Sequence, residues 1–233
     1  MQLQGMLSAH PDLFPWAGIP GGQGMLVKTA TFITSASGAG GYPPGGLPEI
    51  AFAGRSNVGK SSLINVLVNR RALVRTSSTP GRTQLLNFFA VNDEFMLVDL
   101  PGFGFAKVPL AVKKAWGPMV RTYLEQRANL RALVLLFDIR RVPRQEELQL
   151  LDWLEELEIP TIPVITKVDK VGRSHRHRQI APILEATGLP VDAFSFFSAV
   201  TKEGRDEVWE RIATVLEESP AAVPAQEDSG GVQ

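Results

Sequence analysis

The sequence predicts an α/β fold, a mostly parallel central sheet with one antiparallel edge strand and helices on both faces. Three observations predict it. From Glu49 onward, short apolar runs alternate with segments of helical period, the pattern of parallel strands joined by crossover helices. Ala132–Phe137 is a continuous apolar run, as a strand buried on both faces requires. Finally, Ile50–Ala53 passes through a glycine turn directly into the apolar-periodic Leu63–Val68.

The chain has 233 residues, 24 basic and 24 acidic, and no cysteine. That length supports one domain with tails and a core that needs no staples. The lack of cysteine excludes disulfides and thiolate metal sites and suits a reducing compartment. No apolar run approaches the roughly 20 residues that span a bilayer, and the start lacks the basic and apolar segments of a signal peptide. The expectation is a soluble, cytoplasmic protein without a membrane partner. Setting aside the single acid of residues 1–27 and the four of residues 217–233 leaves +5 on residues 28–216. A basic core of that size permits a partner bearing nucleic acid.

Residues 1–24 are punctuated by Pro and Gly and weakly periodic, so they read as a flexible extension, and Met25 is a second possible start. A β-branched and apolar stretch, Leu26–Thr34, predicts a strand. The Gly38–Gly41 cluster is followed by Pro43 and Pro44 where a helix would have to open, so it reads as a loop.

The central motif comes next. Gly54, Arg55, Ser56, Asn57, Val58, Gly59, Lys60 and Ser61 form G-x-x-x-x-G-K-S between a strand and a helix. Such a loop curls its N–H groups inward onto phosphate oxygens at a positive helix terminus. Lys60 is expected to reach the β and γ phosphates, and the Ser61 hydroxyl to ligate magnesium.

Downstream, Leu85–Val91 and Phe95–Leu100 predict a hairpin at the sheet edge, turning at Asn92-Asp93. Pro109–Arg127 predicts a helix that kinks or breaks at Gly117-Pro118, since Pro118 lacks an N–H. Further strands are expected at Thr161–Ile165 and Ala193–Phe197. Helices are expected at Gln145–Leu157, about Ser174–Ala186, and near Lys202–Leu216, the last with Val208, Ile212, Val215 and Leu216 on one stripe. These units make one domain over residues 25–217, followed by a disordered tail over 218–233.

Three more motifs lie at expected strand ends. Asp99, Leu100, Pro101 and Gly102 make D-x-x-G, whose acid would hold magnesium through a water while the Gly102 N–H meets the γ-phosphate. Thr166, Lys167, Val168 and Asp169 follow a strand, at the edge where ligands of open α/β sheets bind. There Asp169 can accept from both N1–H and the 2-amino group of guanine, whereas adenine offers no donor at N1, so a guanine nucleotide is favoured. The alkyl stem of Lys167 would lie along the base. Phe197, Ser198 and Ala199 would offer backbone N–H groups to the guanine oxygen. In the loop ahead of the hairpin, Gly81, Arg82, Thr83, Gln84 and Leu85 sit where a Thr83 hydroxyl would ligate magnesium and fold over a triphosphate. Lys60, Thr83 and Gly102 are thus the expected catalytic set.

Taken together, GRSNVGKSSLIN at 54–65, TPGRTQLLNFF at 79–89, DLPGFG at 99–104, TKVD at 166–169 and FSA at 197–199 resemble the EngB family of bacterial GTPases, over roughly Lys28 to Leu216. The resemblance implies a Ras-like fold, GTP and magnesium binding, and a role in assembling the large ribosomal subunit. Thr166, where most GTPases have Asn, is the form this family uses. Ras-like proteins commonly place a water-orienting Gln directly after D-x-x-G; here that residue is Phe103, so unassisted hydrolysis should be slow. Asn57 occupies the position where related families bind potassium. Arg75 and Arg82 are candidate finger-like residues. Basic clusters at Arg70-Arg71, Arg140-Arg141-Arg144 and Arg173–Arg178 are candidate contacts for ribosomal RNA, and His175 and His177 lack the neighbours of a metal site. A monomer is expected. Two other readings stand beside the GTP-gated switch: a filament-forming GTP-binding protein of the septin type, and a P-loop ATPase or kinase, which Asp169 opposes.

Overall fold

A computed structural model describes residues 26–70, 72–74, 85–103 and 110–218, with backbone alone over 110–116. The expected N-terminal extension, residues 219–233 of the expected tail, Arg71, and the loop carrying Arg75, Gly81, Arg82, Thr83 and Gln84 lie outside the described residues, while Glu218, expected to open the tail, closes the last helix.

Among the described residues seven strands form one sheet: β1 (Ala30–Ala36), β2 (Glu49–Gly54), β3 (Leu86–Val91), β4 (Phe95–Asp99), β5 (Leu130–Asp138), β6 (Thr161–Thr166) and β7 (Ser195–Phe197). Their order is β1-β3-β4-β2-β5-β6-β7. From β4 to β7 every pairing is parallel, and β3 runs antiparallel to both β4 and β1. The hairpin turns as expected at Asn92-Asp93, both at positive φ (54° and 58°), which matches the right-handed twist of the strands it joins. It lies one place further in than expected, because β1 covers β3. The Asn92 side chain draws β1 in: its Oδ1 accepts from the Lys28 and Thr29 N–H groups at 2.8 and 3.2 Å, and its Nδ2 donates to the Leu26 carbonyl at 3.0 Å.

Among the described residues five α-helices cover the sheet: α1 (Lys60–Leu67), α2 (Leu110–Gln126), α3 (Gln145–Glu156), α4 (Arg173–Thr187) and α5 (Arg205–Glu218). Period-two alternation decides which core each strand residue joins. In β5, Leu133, Leu135 and Phe137 enter the cluster that holds Val120, Tyr123, Leu150, Leu154, Ile180 and Ile183 of α2, α3 and α4. Ala132, Val134 and Leu136 enter the other, with Leu63, Ile64 and Leu67 of α1 and Val208, Trp209, Ile212 and Val215 of α5. No described helix is long and apolar enough to cross a membrane.

The expected break at Gly117-Pro118 does not occur: α2 runs through Pro118 as one helix. Proline removes a single helical hydrogen bond there. Just beyond it, Met119, Val120, Tyr123 and Leu124 are all buried, and that packing holds the helix in register.

At the strands' N-terminal end, the fully buried Glu49 carboxylate accepts from the Tyr123 hydroxyl at 2.9 Å and from Arg127 Nε at 2.9 Å. Arg127 also donates to the Pro43 carbonyl at 3.0 Å and lies over the Tyr42 ring. Burial, with the Glu49 carboxylate adding to it, pushes the Tyr123 phenol well above its ordinary pKa, so it stays a donor. This cluster ties α2 and the loop before β2 to the start of β2, leaving the opposite strand ends to the site.

Candidate functional site

The site collects where β2, β4, β5, β6 and β7 end. Gly54 closes β2, and α1 opens at Lys60 behind Gly59, whose φ of +116° is one that side-chain-bearing residues rarely adopt. The first turn of α1 carries no acid, so its unpaired N–H groups and positive dipole end face the loop. The far end of α1 is anchored by α5: Arg205 Nε donates to the Val66 carbonyl at 3.1 Å, and Trp209 Nε1 to the Leu67 carbonyl at 3.0 Å. These capture carbonyls that the helix leaves unpaired and hold the loop's supporting helix in place.

Within the loop, Val58 is buried and Asn57 takes a left-handed φ of 62°, a conformation Asn tolerates. Arg55 forms an isolated parallel bridge with Phe103. Its charge also reaches Glu147 at the start of α3, where burial raises the carboxyl pKa and the Arg144 N–H and Arg55 oppose that rise. Asp99 ends β4 and is ion-paired with Lys60. Leu100 is buried, its N–H given to the Phe52 carbonyl at 3.0 Å, and Pro101 follows, also buried. Gly102 then passes so near the loop that a Cβ there would stand 3.2 Å from Ser56 Cα. Ser61 lies one residue into α1 beyond Lys60. Its hydroxyl and the Asp99 carboxylate are hard oxygen donors of the kind magnesium takes, alongside phosphate and water.

Thr166 ends β6 with its hydroxyl 2.7 Å from the Val58 carbonyl and 3.0 Å from that of Phe137. Lys167, at φ +61°, sends its Nζ back to the Asn57 carbonyl and to Asp138 Oδ2, the latter at 2.8 Å. Val168 is fully buried and begins a short 3-10 turn that carries Asp169. Asp169 Oδ1 accepts from Ser198 Oγ at 2.8 Å, and Oδ2 pairs with Lys170 Nζ at 3.2 Å. Burial would raise the Asp169 pKa, but the Ser198 and Lys170 contacts outweigh it and lower the value, so the group is an ionised acceptor. Phe197 is buried at the end of β7, and Ser198 Oγ accepts from the N–H groups of Val200 and Thr201 at 3.2 and 3.1 Å. The Ser198 N–H itself goes to the Glu203 carbonyl at 3.1 Å, so this residue serves Asp169 through its hydroxyl. Ala199 follows, partly buried against the α1–α5 side of the core. Leu85, the one described residue of the expected Gly81–Leu85 set, is partly buried just ahead of β3.

The fold therefore brings the phosphate loop, D-x-x-G, TKVD and FSA segments to one edge, with Lys167 and Thr166 touching the loop directly. Sequence reasoning missed Asp138, which ends β5 at this same edge. Its carboxylate accepts from Arg140 N at 3.1 Å and Nε at 2.9 Å through Oδ1, and from Arg140 Nη2 at 2.7 Å through Oδ2. Burial alone would raise its pKa, yet the hydrogen bonds from Arg140 and Lys167 hold it well below the carboxylate range. The available signal was an acid closing an apolar strand at the ligand-binding edge.

Comparison with known proteins agrees with this fold. Residues 49–167 match the family described as 50S ribosome-binding GTPase. A protein of Syntrophotalea carbinolica named "Probable GTP-binding protein EngB" is 75% identical over 192 residues, covering 82% of this chain and 93% of its own. A protein of the same name from Citrifermentans bemidjiense is 62% identical over 206 residues, covering 88% and 95%. Among solved structures, the crystal structure of a probable GTP-binding protein engB superposes with a TM-score of 0.61 at 28% identity, over 73% of this chain and all of that one. That of Era from Aquifex aeolicus, at 21% identity and a TM-score of 0.56, covers 79% of this chain and 60% of its own and shares the fold.

Proposed function

The chain belongs to the EngB family of GTP-binding proteins, and from that premise we propose that it is a cytoplasmic, GTP-gated switch that acts in assembly of the large ribosomal subunit and by itself hydrolyses GTP slowly. In this reading the N–H groups of Gly54–Ser61 hold the phosphates, with Lys60 exchanging Asp99 for phosphate oxygen. Ser61 and Asp99 would hold magnesium, which would supply charge neutralisation at the phosphates. Thr83 and Gly102 meet the γ-phosphate side. Asp169, held by Ser198, accepts from the guanine N1–H and 2-amino group, and the Lys167 stem lines the base.

The observation that carries the slow-switch reading is the burial of Phe103. The residue is 7% exposed and belongs to the apolar cluster under α2, α3 and α4, while its backbone carbonyl takes the Ser56 N–H at 2.8 Å. The position that would carry a water-orienting Gln is thus turned into the core. Unassisted turnover is expected at or below about 10⁻³ per second, the scale of a Ras-like site without its activator. Phe103→Gln is expected to leave single-turnover hydrolysis unchanged while lowering stability by about 2–4 kcal/mol, because it trades core packing for a buried amide. Faster hydrolysis in that variant would mean that residue 103 faces the nucleotide after all.

The partner is reached through charge. Exposed Arg141 and Arg144 follow β5, and exposed Arg173 and Arg178 begin α4 after β6, so solvent-facing cations border the same edge as the nucleotide site. Phosphates of ribosomal RNA fit such a rim, and binding to them weakens as salt rises. Co-sedimentation of the chain with large ribosomal subunits tests the reading, with bound GDP or a non-hydrolysable GTP analogue, at two salt concentrations. Salt-sensitive binding favoured by the analogue is expected; no binding in either loaded state would overturn the ribosomal role and direct attention to nucleotide-dependent self-assembly.

A further inference from the structure

We infer that Asp138, clamped by Arg140, is a positioning residue that presets the Lys167 side chain across the nucleotide site before nucleotide arrives. The inference rests on the GTP-binding reading of that site and adds to it a part outside every recognised motif. Asp138 lies opposite Thr166 in the β5–β6 register, one residue before Lys167, and the Ile139 N–H continues the ladder to the Thr166 carbonyl at 3.1 Å. Its carboxylate is 5% exposed, a costly place for a charge unless each oxygen is satisfied. Both are: Oδ1 accepts twice from Arg140, and Oδ2 accepts from Arg140 Nη2 and from Lys167 Nζ.

The same ammonium donates to the Asn57 carbonyl, so one lysine ties together the ends of β5 and β6 and the phosphate loop after β2. A free lysine side chain has many rotamers, and ordering it during binding weakens binding. Held beforehand by Asp138, its stem already spans the space beside the base, and nucleotide binding escapes that loss. Lys167 also holds the carbonyl of a residue in a left-handed conformation, which keeps the loop's N–H groups oriented. Arg140 fixes the carboxylate from its other side through a planar fork, leaving Asp138 one orientation from which to meet the lysine.

The test is a double-mutant cycle on the full chain, read as the release rate of N-methylanthraniloyl-GDP. Asp138→Asn is expected to speed release roughly tenfold, in keeping with the coupling of directly contacting groups. In a Lys167→Ala background the same change is expected to alter release less than about twofold, because the group it acts through is gone. An equal acceleration in both backgrounds, or none in either, overturns the inference. The first of those results, with melting temperatures falling in step, would mark Asp138 as a general support of the strand end. If Asp138→Asn does not fold, Arg140→Ala on the exposed loop is run through the same cycle with the same criteria. A wild-type chain that fails to take up the analogue would overturn instead the assignment of the nucleotide to this site.

Discussion

Replacing Asp169 by asparagine is expected to lower GTP affinity by roughly 10²- to 10⁴-fold and to move preference toward xanthine nucleotides. The ionised carboxylate offers two acceptor oxygens, and guanine presents two donors, N1–H and the 2-amino group. Hydrogen bonds to a charged acceptor contribute about 1.5–3 kcal/mol each, so losing the match costs about 3–6 kcal/mol, which is that range of affinity. Asparagine turns one acceptor into a donor and leaves the 2-amino group facing another N–H. Xanthine carries a carbonyl at that position and meets the new donor. The fold should tolerate the change, since Asp169 is partly exposed and an asparagine oxygen can still accept from Ser198 Oγ. Titration calorimetry with GTP and XTP reads the result. Unchanged GTP affinity would remove Asp169 from the base contact and with it the direction in which nucleotide lies across the strand ends.

Arg127→Ala acts at the other end of the sheet and should destabilise the domain by about 3–5 kcal/mol, lowering the melting temperature by on the order of 10 °C. Glu49 has no solvent exposure, and Arg127 is the cation paired with it. Without it, the carboxylate keeps the Tyr123 hydroxyl and otherwise stands as an uncompensated buried charge. Arg127 also stacks over Tyr42 and holds the Pro43 carbonyl, so the loop before β2 loosens as well. Replacing Glu49 and Arg127 together by methionine is expected to cost less than Arg127→Ala alone, because no charge is then stranded. Denaturant titration of the single and double variants checks the ordering. A double variant weaker than the single would show that the pair stabilises by more than its mutual compensation.

Much of this architecture was legible one segment at a time. The periodicity of Gln145–Leu157 and the apolar run Ala132–Phe137 correspond to α3 and β5 within a residue or two, because burial on one face or two writes itself into local order. The Asn92-Asp93 turn was readable for a similar reason, since few residues tolerate two successive left-handed conformations. The break read at Gly117-Pro118 is absent because local propensity was the sole guide there, whereas the apolar residues that follow Pro118 are held in the helix by packing against the sheet.

By itself the sequence determined the α/β class, the strand-ending motifs, and membership in a family of GTP-binding proteins, all of which depend on residue types at short, ordered spacings. The tertiary structure alone decided that β1 rather than the hairpin forms the sheet edge, and that Phe103 packs into the core. It also decided that Asp138, 29 residues before Lys167, supplies that lysine's carboxylate, and that Glu49 meets Arg127 across 78 residues. The physical reason is one of range. Helical and strand periods and phosphate-loop turns arise from neighbours along the chain, whereas the partner of a buried charge is whatever the strand order brings beside it, and strand order is a property of the assembled sheet.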